Sequence, residues 1–427
     1  MREGSTIRVG NLADGVRGVS YRPEHLQEDV GLDRKVLLRS TNIQEGQLDF
    51  SSIQIVPSYL VKPAQVVQEG DLVVCMSNGS KALVGKAARY NGEYGAPLTV
   101  GAFCSVFHPK IESDSAFLRH VFQGEQFRRS IDIILSGSAI NNLKNSDVEG
   151  ISIVGYAPIE RAKIAEVLDA IDDAILETDM VLEKLRAIHV GTIDDLLTRG
   201  LSDDGSPRKP YDLVETRVGS RPASWMVANL GRFVVGAEYG TNLSLGDSSA
   251  GIPVLRMNNI KDGEFDLSDM KYAPAHAVDH FRLQRGDVLF NRTNSWEHVG
   301  KAAIWRSGEP GPAFASYLVR LHCGDALLPE LLHLWLNWAP VQRAIRQFAT
   351  PGVQQVNINP TNLRRALIAV PDTLDEQRAI IERVSGVAAA IEDHRRERAK
   401  LSSLREGLRD DLLTGRKLVV AIREAAE

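Results

Sequence analysis

The chain has 427 residues, of which 43% are hydrophobic and 25% are charged, enough to bury a core in each of two to three average domains. No stretch approaches the roughly 18 consecutive apolar residues that cross a bilayer, and the composition excludes disordered and collagen-like chains. The net charge of −5 argues against a broadly basic polyanion-binding surface but not against a local basic patch.

The compartment is inferred from the first residues and the cysteines. The N-terminal sequence contains an acid and lacks the apolar core of an export signal. The three cysteines, Cys75, Cys104 and Cys323, are widely scattered. We therefore expect a cytoplasmic protein with no membrane partner.

Residues 1–155 consist of short apolar runs separated by turn formers. Runs such as 71–74 and 151–154 alternate with Gly70 and with Asn91-Gly92, which predicts a β-rich globular domain. The run 71–74 leads into a polar segment, named loop 1: Cys75-Met-Ser-Asn-Gly-Ser-Lys-Ala-Leu-Val-Gly-Lys86.

Residues 156–199 are predicted to form a long helix. The stretch 159–198 contains no proline and a single glycine, and would span about 60 Å at 1.5 Å per residue. Its apolar side chains recur with heptad spacing, with Thr178 at the vacant position: Ile164, Leu168, Ile171, Ile175, Leu182 and Leu185. The stretch 156–205 contains five basic and twelve acidic residues, a net charge of −7.

The second half of the chain has the same order of elements. Residues 200–214 contain the glycines and prolines of a linker, 215–370 are again β-rich, and 371–427 form a second long helix with a C-terminal tail. The apolar seam of this second helix consists of Ile380, Val384, Val387, Ile391 and Leu401. His394 and Arg398 interrupt it.

The halves are an internal repeat with a spacing near 216 residues. The strongest match is an identical Asp-Asp-Leu-Leu-Thr at 194–198 and 410–414. Further matches pair Asn11-Leu12, Gly18 and Tyr21 with Asn229-Leu230, Gly236 and Tyr239, and Val84-Gly-Lys-Ala-Ala88 with Val299-Gly-Lys-Ala-Ala303.

A helix with one apolar stripe must bury that stripe, and its own duplicate in antiparallel orientation is the simplest partner. We therefore predict an α+β fold in which two β-rich domains are separated by two long antiparallel helices that form a coiled coil, with a pseudo-two-fold internal repeat. The alternative is that each stripe packs on its own domain.

The sequence contains no recognisable catalytic motif. Residues 79–86 resemble a phosphate-binding loop but are one residue too long, and Ala87 replaces the magnesium-binding hydroxyl. The Gly-x-Ser-x-Gly, His-Glu-x-x-His and Cys-x-x-Cys motifs are missing, and the ten histidines are dispersed. We expect neither an enzyme nor a metal site.

Two diverged binding domains at the ends of a stiff spacer would read two separated sites on an extended partner, and double-stranded DNA is such a partner. The contact candidates lie in loop 1, in loop 2 (291–301), and in the polar segments 136–144 and 351–359. Arg, Lys, Asn and Gln can bond base edges, and Ser and Thr can bond phosphates. The candidates are Asn78, Ser80, Lys81, Lys86, Asn291, Arg292, Thr293, Asn294, Trp296, Lys301, Gln354 and Gln355. In the alternative interpretation, these residues only form hairpin turns and caps.

These residues resemble those of a known family, the DNA-specificity subunits of type I restriction-modification systems. The resemblance covers nearly the whole chain. It rests on the half-repeat, on Gly286-Asp-Val-Leu-Phe-Asn-Arg-Thr-Asn followed by Val299-Gly-Lys301, on Gly352-Val-Gln-Gln-Val-Asn-Ile-Asn359, and on the ending Asp-Asp-Leu-Leu-Thr-Gly-Arg416.

The resemblance implies two target recognition domains, at 1–155 and 215–370, each reading one half of a split, asymmetric DNA sequence. It implies that the paired helices dock two methyltransferase subunits, joined by restriction and translocase subunits. The methyl donor and ATP would then bind to those partners, and this chain would need no cofactor. A different class remains open, a duplicated-domain adaptor that brackets a protein complex without contacting DNA.

Overall fold

The computed structural model describes residues 6–29, 31, 33–137, 140–352 and 355–417. The chain divides into two compact units. Unit 1 comprises the residues up to Met180 together with those from Arg395 onward, and unit 2 comprises Val181–His394. Among the residues described, no helix is long and apolar enough to cross a membrane.

The β-rich part of unit 1 contains two four-stranded sheets. Their strand orders are β2-β11-β8-β9, all antiparallel, and β6-β3-β10-β7, in which β3 and β10 are parallel. The strands are β1 (Thr6–Arg8), β2 (Ala13–Arg17), β3 (Arg34–Leu38), β4 (Ile43–Gln44), β5 (Gln47–Leu48), β6 (Gln54–Pro57), β7 (Val66–Val67), β8 (Leu72–Cys75), β9 (Ala87–Arg89), β10 (Leu98–Val100), β11 (Cys104–Pro109) and β12 (Ser152–Val154). The helices are α1 (Ser115–Phe122), α2 (Glu125–Ser136), α3 (Asn145–Glu149) and the long α4 (Pro158–Arg199).

The β-rich part of unit 2 repeats this strand order. Its sheet β16-β25-β21-β23 corresponds to β2-β11-β8-β9, and β20-β17-β24 corresponds to β6-β3-β10. The strands are β13 (Leu213–Thr216), β14 (Gly219–Pro222), β15 (Met226–Asn229), β16 (Val234–Tyr239), β17 (Ile252–Leu255), β18 (Ile260–Lys261), β19 (Glu264–Phe265), β20 (Lys271–Ala273), β21 (Val288–Asn291), β22 (Thr293–Asn294), β23 (Ala302–Ile304), β24 (Ala313–Phe314), β25 (Leu318–Cys323), β26 (Ala349–Pro351), β27 (Val356–Ile358) and β28 (Leu367–Val370). The helices are α5 (Ala275–Val278), α6 (Pro329–Asn337), α7 (Ala339–Ile345), α8 (Pro360–Leu363) and the long α9 (Leu374–Leu413).

The strand that precedes each loop is buried on both faces. In β8, Leu72 and Val74 pack in the core formed with α1 and α2, whereas Val73 and Cys75 pack toward β3 and β10. Because side chains alternate along a strand, such a strand reads as a continuous apolar run. The same holds for β21, and this double burial fixes the position at which each loop begins.

The start of the repeat differs in register from the sequence-based pairing. Gly18 is equivalent to Gly240, and the predicted match to Gly236 is wrong. A Cβ at Gly18 would lie 2.3 Å from Gly101 O, and one at Gly240 would lie 2.2 Å from Phe314 O. The main chains approach too closely at both positions for any other residue, whereas Gly236 lies beside a register shift in β16.

Each unit contains segments of both long helices in antiparallel orientation. In unit 1, Asp172 pairs with Arg405 and Asp179 with Arg398, so one helix advances as the other recedes. In unit 2, the N–H of Leu201, just beyond the end of α4, donates to Glu376 Oε1 near the start of α9. The helices α4 and α9 lie within the predicted segments 156–199 and 371–427.

The predicted seam residues are buried or half-buried. Ile164 and Leu168 lie in one core with Phe117 of α1 and with Leu412 of α9. At the seam's end in unit 2, Ile380 and Val384 pack with Leu196 and with the α6 side chains. At its end, each apolar stripe therefore packs both on the other long helix and on the globular part of its own unit. The buried members are Ile164, Leu168, Ile175, Leu182, Ile380, Val384 and Ile391, and the half-buried ones are Ile171, Leu185, Val387 and Leu401.

Candidate DNA-contact surface

Each unit brings its loop and its second polar segment together. In unit 1, Ser77 of loop 1 forms a β-bridge with Asn142, and Asn141 Nδ2 donates to Gly79 O at 3.2 Å. In unit 2, β22 of loop 2 pairs with β27, which places Thr293 opposite Asn357. Two stretches about 65 residues apart in sequence thus form one polar surface in each unit.

The surface of unit 1 is an open groove of about 930 Å³. Its walls combine amide and hydroxyl side chains with one arginine and an exposed aromatic ring. The lining residues include Arg17, Ser40, Asn78, Phe103, Asn141 and Asn142. Polar donors and acceptors beside an exposed ring suit a partner that presents both hydrogen-bonding edges and flat apolar faces.

The loop 1 candidates divide into exposed and inward-facing residues. Ser80 and Lys81 are exposed, and Lys81 Nζ donates to Ser136 Oγ at 3.1 Å. Asn78 Oδ1 accepts the N–H of Ser80 at 3.0 Å, so this amide also closes the turn. Lys86 is half-buried, and its Nζ donates to Ile43 O at 2.6 Å, at the β4–β5 hairpin.

Two of the loop 2 candidates are buried and are withdrawn as base contacts. Asn291 is fully buried, and its Nδ2 donates to Met257 O at 3.0 Å, which anchors the base of the loop. Thr293 is buried where β22 pairs with β27. Sequence alone could not reveal this, since a polar residue that ends a buried strand looks the same whether it faces inward or outward.

The remaining candidates in unit 2 are accessible to different degrees. Trp296 is exposed, and Asn294 is half-buried with its Oδ1 accepting the N–H of Ser295 at 2.8 Å. Lys301 Nζ lies 4.0 Å from Asp262 Oδ1, beside the β18–β19 hairpin. Gln355 Nε2 lies 3.9 Å from the sulfur of Met257, and Gln354 lies outside the described residues.

Loop 2 contains an arginine that loop 1 lacks. Arg292 is half-buried, with its guanidinium 5.0 Å from the ring centre of Tyr239. Its Nη1 donates to Ser316 O and its Nε to Asn357 Oδ1, each at 3.4 Å. The equivalent residue in loop 1 is Met76, which is fully buried.

In unit 1 an arginine from another strand occupies the same place. Arg17 of β2 donates from Nε to Ala102 O at 2.6 Å, from Nη1 to Leu143 O at 2.9 Å and from Nη2 to Asn142 Oδ1 at 3.0 Å. Arg17 pairs with Ser105 at the start of β11, just as Tyr239 pairs with Val319 at the start of β25.

Both guanidinium groups therefore bond a turn carbonyl and an asparagine oxygen at equivalent positions. The asparagines are Asn142 and Asn357, each opposite the third residue of its loop. Sequence comparison missed Arg17 because its structural counterpart is a tyrosine and the guanidinium in unit 2 comes from the loop.

One group of potential metal ligands also lies in unit 1. His120, Asp169 and Asp172 converge within 4.8 Å. Arg119 Nη2 lies 2.5 Å from Asp169 Oδ1 and 2.9 Å from Asp172 Oδ2, so one guanidinium group already pairs with both carboxylates. Burial lowers the pKa of His120. Burial raises the pKa of Asp169, but the bond with His120 and the charge of Arg119 outweigh it and hold that pKa below its usual value. We interpret the group as an ion-pair network.

Each unit thus carries a polar surface on a repeated strand order, followed by one long helix. Comparison with known proteins shows what this arrangement is similar to. The chain is 25% identical over 389 residues to the type I restriction enzyme EcoKI specificity subunit of Escherichia coli (strain K12), covering 89% of this chain and 81% of that protein.

A second relative is also a type I restriction enzyme specificity subunit. The chain is 25% identical over 397 residues to the StySPI specificity subunit of Salmonella potsdam, covering 90% of this chain and 82% of that protein. The fold also matches a solved structure, with a TM-score of 0.59. That structure concerns the complex assembly and conformational transition of the type I R-M system. That match covers 96% of this chain and 98% of the other at 14% sequence identity. No family model matches the chain. The resemblance to type I specificity subunits and the mixed helix and strand fold are therefore confirmed.

Proposed function

We propose that this chain is a non-catalytic subunit that selects a bipartite, asymmetric DNA sequence for a type I restriction-modification complex. The observation that carries the proposal is the paired surface described above. Each unit holds a guanidinium group between an equivalent carbonyl and an equivalent asparagine, but supplies it from a different strand. Two recognition surfaces that share one framework but differ in their side chains would select two different half-sites.

In unit 2 we assign DNA contact to Arg292, Asn294 and Trp296. The long bonds of Arg292 leave N–H groups free to form a bidentate contact with a guanine edge, and Asn294 suits adenine. In unit 1 we assign contact to Asn78, Ser80 and Lys81, which are exposed or half-buried around loop 1. Lys301 and Gln355 remain candidates at the edge of the loop 2 surface.

The two long helices serve, in this proposal, as the spacer that holds the half-sites at a fixed separation. Their antiparallel contacts in each unit support a paired coiled coil. The net charge of −7 over 156–205 would repel DNA phosphates, so this surface suits protein partners. Leu176 and Met180 in unit 1 and Ile188 and Val190 in unit 2 are exposed apolar side chains on α4. In this proposal, the acidic helix with its exposed apolar positions is the docking face for two methyltransferase subunits.

The target recognition domains, in this proposal, are 1–155 and 215–370. Restriction and translocase subunits would join the core formed with the methyltransferases. The methyl donor and ATP would bind to those partners.

The test is a map of methylated adenine across the genome of a host that carries this chain, its deletion, and the variant Arg292→Ala. We expect wild type to show a split asymmetric motif with a constant gap, and the deletion to lose it. Arg292→Ala removes a base contact worth about 1–3 kcal/mol, so it should relax or weaken one half of the motif only.

Arg285→Ala is the matched control, because this exposed arginine lies beyond the opposite end of β21 from loop 2. It should leave the motif intact. A methylation pattern that is identical with and without the chain would refute the role in DNA recognition and favour the protein adaptor. An unchanged motif in Arg292→Ala would refute the assignment of loop 2.

A further inference from the structure

An exposed aromatic ring stands beside the loop in both units. Phe103 is 68% exposed and Tyr317 is 47% exposed. Each is the second residue of a two-residue turn between a short parallel bridge and the long strand, β11 or β25. Exposed aromatic rings leave apolar surface in water, so the occurrence of one at the same position of both repeats calls for a partner.

The turn that carries the aromatic residue is closed by the same backbone hydrogen bond in both copies. The N–H of Cys104 donates to Gly101 O at 2.8 Å, and the N–H of Leu318 donates to Ala315 O at 2.9 Å. These bonds close the turns around Phe103 and Tyr317. Only the side chain extends into solvent.

The main chain of each aromatic residue is joined directly to the loop. Phe103 O accepts the N–H groups of Met76 at 2.8 Å and Ser77 at 3.1 Å. Tyr317 O accepts the N–H of Arg292 at 3.1 Å. The backbone of each aromatic residue is therefore joined to the first residues of the loop that we assign to DNA contact.

The guanidinium group of each unit bonds the carbonyl of the residue that precedes the ring. Arg17 donates to Ala102 O, and Arg292 donates to Ser316 O. In unit 1 the bonds are 2.6–3.0 Å and engage Nε and both Nη atoms, which makes Arg17 a positioning residue for the turn. In each unit, the guanidinium group thus links the turn that carries the ring to the asparagine opposite the loop.

We infer that Phe103 and Tyr317 are specificity-determining residues, each making an apolar contact with the bases of the half-site read by its own unit. This inference rests on the proposed function and adds to it a pair of residues outside both loops. Aromatic side chains contact the thymine methyl group in the major groove or enter between base steps. Either contact buries the ring on binding and depends on base identity at one or two positions.

Two other exposed aromatic residues do not share this arrangement. Tyr59 and Tyr211 are 80% and 75% exposed, more than either ring, but neither adjoins a loop contact. These two tyrosines are matched controls, one in each unit.

The experiment compares Phe103→Ala, Tyr317→Ala, Tyr59→Ala and Tyr211→Ala in the full chain expressed in its host, with methylated adenine mapped across the genome. We expect Phe103→Ala to reduce methylation about tenfold, or to relax base choice, in one half of the motif only. Tyr317→Ala should do so in the other half, while both control variants match wild type. Phe103→Tyr and Tyr317→Phe keep a ring and should restore the motif.

The half-site readout separates loss of contact from loss of folding. An unfolded unit would abolish methylation of the whole motif, and in that case Phe103→Gln and Tyr317→Gln, which retain bulk and add polarity, decide by the same half-site criterion. If every ring variant methylates as the controls do while wild type shows the split motif, the inference is overturned and the proposed function stands. If wild type shows no split motif that depends on this chain, the proposed function falls and the inference falls with it.

Discussion

The two loops differ most at the residue that follows the buried strand. Unit 2 has Arg292 there, lying across Tyr239, whereas unit 1 has the buried Met76 and takes its guanidinium from Arg17 of β2. The strand order and the asparagine partner are the same. A recognition surface can thus diverge by taking its guanidinium group from a different part of the same sheet, β2 in unit 1 and the residue after β21 in unit 2, while the framework stays constant.

A second contrast lies where each long helix meets its globular part. In unit 1, the buried Arg161 bonds the buried Asp114 through Nε at 2.7 Å and Nη2 at 2.9 Å. At the equivalent position in unit 2, Gln377 accepts the N–H of Leu328 at 2.9 Å and donates to Ala326 O at 2.9 Å. One junction relies on a buried ion pair and the other on a neutral amide, and this difference can be tested.

The largest effect is expected when the charged junction loses one partner. Arg161→Gln leaves Asp114 buried without a counter-charge and should lower the free energy of unfolding of unit 1 by about 3–5 kcal/mol. Urea unfolding followed by far-UV circular dichroism measures this loss. Tryptophan fluorescence reports on unit 2 alone, because all five tryptophans lie within 181–394.

The control copies the neutral junction. Arg161→Gln combined with Asp114→Leu removes both charges and should recover most of the stability, since replacing a buried pair by neutral residues is often close to neutral. An equal loss in the single and the double variant would show that the charges are not what holds this junction. Gln377→Ala tests the other junction and should shift mainly the fluorescence transition.

Acidification should destabilise unit 2 more than unit 1, because unit 2 contains the buried His333. Burial lowers the pKa of His333 to about 4, and its Nε2 donates to Gly263 O at 2.8 Å in the β18–β19 hairpin. The unfolded chain has the ordinary pKa of 6.5 and binds the proton first, so stability is full above pH 6.5 and falls as the pH drops toward 4. At about 1.4 kcal/mol per pKa unit, unit 2 should lose about 3 kcal/mol.

The corresponding hairpin of unit 1 is held by Gln123, whose Nε2 donates to Gly46 O at 3.1 Å and does not titrate in this range. His333→Gln should remove most of this acid dependence from the fluorescence transition measured between pH 7 and pH 4. If the variant remains as acid-sensitive as wild type, other groups are responsible. His276→Gln, at an exposed histidine in unit 2, is the control and should change little.

Sequence reasoning predicted the elements whose signal is local and periodic. The apolar seams, Ile164 to Leu185 in one helix and Ile380 to Leu401 in the other, located both long helices within the predicted segments. The identical Asp-Asp-Leu-Leu-Thr segments gave the repeat, since each ends a helix whose last leucines are buried. Apolar runs bounded by Gly70 and Gly286 located the strands before the loops, because both glycines adopt a positive φ.

What it could not predict depends on contacts between distant segments. Asn291 looked like a donor for DNA, but it is turned inward by the carbonyl of Met257, 34 residues away. Arg17 looked like an ordinary strand residue, and its role depends on Ala102 and Asn142. Phe103 and Tyr317 lie outside both loops, and only the fold brings them to the loop. Local pattern determines an element's type, but tertiary pairing determines the direction in which a polar side chain points.

The smallest effect is expected at the exposed ion pair between the helices. Arg398 Nε lies 3.2 Å from Asp179 Oδ1 in unit 1, but the two side chains are 48% and 45% exposed. Arg398→Ala should therefore lower the free energy of unfolding by less than about 1 kcal/mol, and the difference should shrink further in 0.5 M salt. In unit 2, Arg208→Ala should cost more, since Arg208 and Glu376 are only 18% and 12% exposed and Glu376 also accepts bonds from Leu201 and Trp225. Urea titration at low and high salt compares the two variants.

An Arg398 effect as large as that of Arg208 would mean that the helices of unit 1 depend on exposed charge instead of on the apolar seam at Ile164 and Leu168.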